Sequence, residues 1–337
     1  MIKKLTLALL VASLATPAFA DGEVNVYSSR KEQLIKPLFD KFTESTGIKV
    51  NLVTGKDDAL LERLKLEGEN TPADLLMTAD AGRLHRAVEM GLTQAVESET
   101  LKKDIPETLR DPANQWFGLT SRARPIFYVK DKVKPEDLST YEALTDAKWK
   151  SRICVRSSDN IYNQSMIGSM IATVGAEKAQ AWADGLVKNF ARPPEGGDRD
   201  QIKAAAAGQC DIALSNTYYF GQMLTSEEAE EKAAAEKVAI FWPNQQDRGV
   251  HVNISGASVT KTAKNKDNAI KLMEFLVSDE SQKWYAEANQ EYPVKAGVTP
   301  SEMLKGWGEF KADSVNLTEL GKYNAEAVKI MDKAGWK

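Results

Sequence analysis

Short apolar strands alternating with amphipathic helices predict an α/β protein of two lobes. Two observations carry that fold class. Apolar residues recur first at a strand period and then at a helix period, several times along the chain. The 337 residues are also about twice an ordinary single domain. Strand–helix–strand repetition further predicts parallel sheet covered on both faces.

The elements follow in order. Val24 and Val26 mark a first strand, and Leu34, Ile35, Leu38, Phe39 and Phe42 form the stripe of a helix that Gly47 ends. Ile48, Val50 and Leu52 alternate as a second strand. Asp57 or Asp58 is placed to cap a helix that turns Leu60, Leu61 and Leu64 inward. Leu75, Leu76 and Met77 make a third strand, with a helix over 82–90 behind it. Later, 153–155 and Ile212–Leu214 have the composition of buried strands, with helices over 164–174 and 177–188 between them. Val252–Val259 is a further strand and 269–277 a helix. Leu317, Leu320, Tyr323, Ala327 and Ile330 predict one amphipathic helix in the tail. The Glu-, Ala- and Lys-rich stretch 226–237 is expected to be a solvated helix face, not a binding patch.

Residues 1–20 stand apart from this pattern. Lys3 and Lys4 precede the apolar run 5–14, and Ala18-Phe19-Ala20 gives the small-x-small site of a secretory signal peptide. The run is too short to span a bilayer, and no other segment approaches ~20 apolar residues. Asp21 would open the mature chain, and no cysteine stands there to take a lipid anchor. Removing Lys3 and Lys4 takes the 44 basic residues to 42 against 48 acidic ones, a mature charge of −6. An exported protein that is not membrane-embedded, most simply periplasmic, is expected. The acidic balance argues against a nucleic-acid binder. Two cysteines and two histidines leave little room for the familiar zinc clusters. In an oxidising compartment Cys154 and Cys210, 56 positions apart, favour a disulfide worth roughly 3–4 kcal/mol over two buried thiols.

Two α/β lobes imply a ligand cleft between them. No nucleophile elbow or phosphate loop is present, and His85 and His251, lacking a nucleophile partner, are expected to be structural. The chemistry-bearing candidates are Tyr218 and Tyr219, directly after a strand in Ser215-Asn216-Thr217-Tyr218-Tyr219-Phe220-Gly221, and Tyr162 at a helix entrance. A phenolate is a hard anionic oxygen suited to a small trivalent cation. Tyrosine pairs also fill cores and domain interfaces, so the residues alone leave both readings open. Arg30, beyond the first strand, and Arg122, in Ser121-Arg122-Ala123-Arg124 where the chain is expected to change lobes, could grip a carboxylate or carbonate. Salt-bridged surface arginines are the other reading.

At these segments the sequence resembles the periplasmic ferric-ion-binding proteins of bacterial ABC-type iron importers. The markers are Val26-Tyr27-Ser28-Ser29-Arg30, the run 72–80, Ser121–Arg124, the run 211–221 and His251–Gly256. The resemblance implies the type II periplasmic binding-protein fold, two lobes joined by crossing hinge strands around a central cleft. It places 21–121 and 247–297 in the amino-terminal lobe, and 122–246 and 298–337 in the carboxy-terminal one. It also implies Fe(3+) as cargo, an ABC-type inner-membrane permease as partner, no enzymatic role, and a monomer. Its tyrosine ligands carry over onto Tyr162, Tyr218 and Tyr219. Relatives with a His, or His-Tyr, after the first strand are not matched, since Lys31 and Glu32 stand there. A Glu ligand on the third strand is replaced by Ala79. Three phenolates balance a 3+ charge but leave an octahedron incomplete, so carbonate or bicarbonate, held by Arg30 and Arg122, is expected to complete it. The competing reading is a receptor for an organic anion, carboxylate or phosphonate, with the arginines as main contacts. An exported enzyme and a ferrous site are weaker alternatives.

Overall fold

The computed structural model describes residues 22–337, so the signal-peptide expectation lies outside the described residues. Among the described residues nine strands divide between two sheets. They are β1 (Gly22–Ser28), β2 (Ile48–Thr54), β3 (Leu75–Thr78), β4 (Phe117–Ala123), β5 (Ile126–Val129), β6 (Ile153–Cys154), β7 (Ile212–Leu214), β8 (Val238–Phe241) and β9 (Val252–Val259). The first sheet has the order β2-β1-β3-β9-β4 and the second β6-β7-β5-β8.

The parallel-sheet expectation holds only in part. β1 runs parallel to β2 and β3, as the helical crossovers require. β9 is antiparallel to both β3 and β4, because it re-enters the first sheet from the second. The second sheet is mixed too, with β5 antiparallel to β7 and β8. The chain first changes sheets at Arg124-Pro125, between β4 and β5, and returns between β8 and β9. The two passages lie side by side, with the Arg124 amide donating to the His251 carbonyl at 3.0 Å. A third passage follows a π-helical turn, Tyr285–Asn289, where Tyr292 pairs with Ser121 of β4.

Each sheet has its own apolar core. Val24, Val26, Leu75, Met77 and Val259 pack with Leu38, Phe39, Phe42, Leu272 and Met273 on the first. Ile126, Ile153, Ile212 and Leu214 pack with Ile167, Trp182 and Trp336 on the second. The tail is not one helix but two, Thr318–Lys322 and Asn324–Ala334. The first wedges Leu317 and Leu320 among Ala81, Leu84 and Ile254 of the first lobe, and the second packs on the helices of the other. One straight helix could not meet both surfaces. Asp57 and Asp58 occupy the first turn of helix Asp57–Glu67 and do not cap it; Asp57 instead pairs with Arg83 at 3.0 Å. Cys154 and Cys210 form the expected disulfide, with Cα atoms 5.9 Å apart. Among the described residues no helix is long and apolar enough to cross a membrane.

Candidate functional site

A cavity of about 470 Å³ opens between the two sheets. From the first lobe it takes Ser29, Arg30 and Lys31 beyond β1, Ala79 beyond β3, Ser255 of β9, and Glu291. From the second it takes Arg156 beyond β6, Tyr162, Asp198, Tyr218 and Tyr219. Strand ends therefore converge on it from both sides, the position where open α/β sheets collect ligands.

The three tyrosines meet there. Tyr162 lies in the first turn of helix Ile161–Val174, whose cap Asn160 accepts from the Tyr162 amide at 3.0 Å. Tyr218 and Tyr219 are not on extended chain, as adjacent residues beyond a strand might suggest, but in the first turn of helix Thr217–Leu224. Helical geometry turns neighbouring side chains about 100° apart instead of to opposite faces. Their rings can therefore stack, with centroids 4.3 Å apart. The Tyr218 hydroxyl donates to the Tyr162 hydroxyl at 3.2 Å. Burial pushes the phenols of Tyr218 and Tyr219 well above the ordinary tyrosine range, and the neighbouring phenols add to it. Without a cation the oxygens of Tyr218 and Tyr219 keep their protons near neutral pH; a bound metal would have to displace them.

Beneath the phenols sits a charged floor. Asp198 accepts from Arg124 at 2.7 Å and from Arg156 at 2.6 Å. Burial opposes charge on this carboxyl, but the two guanidiniums outweigh it and hold its pKa below the usual range. Arg124 is further anchored by Asn216 at 2.9 Å and Asn163 at 2.8 Å, so the starts of both tyrosine-bearing helices are tied to one point. Two cations against one carboxylate leave one net positive charge under the phenols.

The predicted anion-binding arginines are differently placed. Arg30 lines the cavity, yet both its terminal nitrogens are held by Glu291, at 3.0 and 2.7 Å. Arg122 is buried, donating to the carbonyls of Ile254 and Ala79 and approaching Asp80 at 3.4 Å, with its guanidinium 5.3 Å from the Tyr162 ring centre. It does not line the cavity. His85 and His251 are both buried away from the tyrosines; burial, reinforced by nearby arginines, pushes His251 down to about 3. Among the described residues no group of three or more His, Cys, Asp or Glu side chains is arranged to hold a metal.

Several participants escaped sequence reasoning, Asp198 among them. Arg156 stands two residues beyond β6 as Arg30 stands two beyond β1, a parallel that was available as a signal. Glu291 lies 261 positions from Arg30, and nothing in its local pattern marks it. Glu231, within the stretch expected to be a solvated face, is buried against Arg199 and Lys203 on the cavity wall. Alanines on that helix gave no apolar stripe to show which face turns inward.

Residues 37–312 match the family model for bacterial extracellular solute-binding proteins. Iron uptake protein A1 of a Synechocystis strain is 53% identical over 97% of this chain and 91% of its own length. Iron uptake protein A2 of the same strain is 45% identical over 98% and 95%. The Trichodesmium protein IdiA (FutA), solved in complex with iron and citrate, superposes with a TM-score of 0.91 at 54% identity, covering 94% of this chain and all of that one. The chain belongs to the bacterial extracellular solute-binding proteins and has their two-lobed type II periplasmic binding-protein fold.

Proposed function

We propose that this protein captures ferric iron between its lobes in the periplasm and delivers it, as a monomer, to an ABC-type inner-membrane permease. The observation that carries the proposal is the convergence of Tyr162, Tyr218 and Tyr219 on one point of the interlobe cavity. Three phenolates neutralise a 3+ ion, and hard oxygen donors favour it over softer divalent metals. The names of the relatives, two iron uptake proteins and one solved with iron, support the same cargo. Arg122 lies buried off the cavity and donates to backbone carbonyls, so it is not placed to hold an organic anion directly, which favours iron over that reading.

The three tyrosines come from one lobe, so the remaining coordination positions fall to an exogenous anion, carbonate or bicarbonate in this proposal. Arg30 and Arg122 act on it through their charge. Closure then brings the first lobe, proposed as 21–121 and 247–297, onto the metal held by 122–246 and 298–337. Metal binding releases phenolic protons, so affinity falls with pH, a property suited to unloading. The deciding experiment is metal analysis with a visible spectrum of purified protein before and after Fe(III). A phenolate-to-iron charge-transfer band is expected; its absence from iron-saturated protein would remove the proposal.

A further inference from the structure

We infer that Gln290 is a positioning residue for the cavity tyrosines, a wedge on the third passage between the sheets that sets the helix carrying Tyr218 and Tyr219. The inference rests on the ferric-iron reading above for the purpose of those tyrosines, though not for the contact itself. Gln290 directly follows the π-helical turn Tyr285–Asn289, and its neighbours Asn289 and Glu291 both line the cavity. Gln290 does not line it; its side chain lies on helix Thr217–Leu224 instead. A methyl at Gly221 of that helix would stand 2.7 Å from both Cβ and Cγ of Gln290, so the contact exists only because residue 221 has no side chain. The Trp307 ring, 3.1 Å from the same point, closes the other side. Gly221 comes three residues after Tyr218, on the same helix face, so a push on Gly221 bears on Tyr218.

The wedge is kept against local preference. The Gln290 backbone is left-handed, with φ 58° and ψ 34°, a conformation unfavourable for any residue with a Cβ. Its amide nitrogen donates to the Glu287 carbonyl at 2.7 Å, but its buried amide oxygen meets no donor among the described residues. The turn before it is π-helical, a rare form that places an extra residue in the helix. Glycine would relieve the backbone but could not supply the Cβ and Cγ that rest on Gly221. The same run also grips the first lobe. Asn289 donates to the Leu34 carbonyl at 2.9 Å, and Glu291 holds Arg30 beyond β1. A hinge movement of this passage is therefore carried to Arg30 on one side and to Tyr218 and Tyr219 on the other.

The test is a steric rescue, read by Fe(III) affinity and by the position of the charge-transfer band. Gly221→Ala is expected to lower affinity by about 10–100-fold and to shift the band. Gln290→Gly in the same protein removes both atoms that the methyl meets and keeps the left-handed backbone. The methyl then fills the space the wedge left, and both readouts should return toward wild type. Should Gly221→Ala fold poorly, Gln290→Gly alone carries the test, with a loss of the same order expected. Wild-type affinity and band position in either single variant overturn the inference, as does a Gly221→Ala defect that the double variant keeps in full. If wild type takes up no ferric iron, the iron reading fails, and the wedge is judged in metal-free protein labelled with 3-fluorotyrosine. Fluorine resonances of Tyr218 and Tyr219, assigned through Tyr218→Phe and Tyr219→Phe, should move in Gly221→Ala and return in the double variant; resonances that do not move, or do not return, overturn the wedge.

Discussion

Tyr218 donates its phenolic proton to Tyr162 at 3.2 Å, across 56 positions of sequence, and the donor is buried deeply enough to keep that proton. The bond that closes the metal-free cluster is thus one that a metal bound at the proposed site would have to break. Replacing Tyr162 by Phe leaves the buried Tyr218 hydroxyl without its acceptor, a cost of about 1–3 kcal/mol in the apo protein. In the proposed loaded form the same change removes one anionic ligand. Apo stability should therefore fall by no more than that amount while Fe(III) affinity falls beyond the ~10–100-fold typical of outer-shell losses. Tyr218→Phe combined with Tyr219→Phe should eliminate the charge-transfer band. Competition against a chelator of known affinity measures both; unchanged affinity in either protein would show that iron sits elsewhere.

Proton release gives the second prediction. Tyr218 and Tyr219 are held above the ordinary phenol range by burial, and in the proposed site they would bind iron only as phenolates. The protonated state is the metal-free one, so lowering pH favours release and raising it favours capture. Below those pKa values, each unit of pH should change affinity about tenfold per proton displaced. Isothermal titration in buffers of different ionisation enthalpy counts the protons. A count of zero, or affinity independent of pH, would exclude phenolate ligation.

How much of this was legible in the sequence depended on whether a signal was local. Strand and helix periods placed β1 to β3, β9 and the helices carrying Tyr162 and Leu272, because each buries one continuous apolar face. The mixed sheet was not legible, since β9's direction follows from where the chain has been, not from its composition. The tyrosines were visible as residue types in unusual places. The partners of Arg30 and Arg122 were not: Glu291 and the Ile254 carbonyl are distant in sequence, and a guanidinium expected to hold a ligand holds the protein instead.

Asp198 supplies the third prediction. It is buried between Arg124 and Arg156, and also accepts the Asn216 amide at 2.9 Å. Asp198→Asn leaves two guanidiniums without a counter-charge and should cost about 3–5 kcal/mol. The pH dependence has a defined sign. A carboxyl depressed in the folded state contributes stability above its unfolded value near ~3.9, and loses it as pH falls through the folded one. Urea unfolding across acidic pH should show a shallower acid limb for the variant than for wild type. Parallel limbs would mean that Asp198 is not held ionised by its arginines.

The joint between the lobes is tight at Gly321. Helix Thr318–Lys322 lies against helix Ala81–Glu89, and a methyl at Gly321 would sit 2.5 Å from His85 Cδ2 and 2.6 Å from Cγ, with the His85 Cβ also in its way. Intrinsic propensity pulls the other way, since alanine is favoured over glycine inside a helix by about 1 kcal/mol. Packing should win, because the Cβ of His85 is fixed to its backbone and cannot swing aside, and overpacking costs about 1–3 kcal/mol. Gly321→Ala is thus expected to lower stability, and His85→Ala in the same protein to restore only part, the Cβ being retained. Thermal or urea unfolding of the single and double variants decides it. A stabilised Gly321→Ala would mean that the two helices separate freely and that the tail does not brace the lobes.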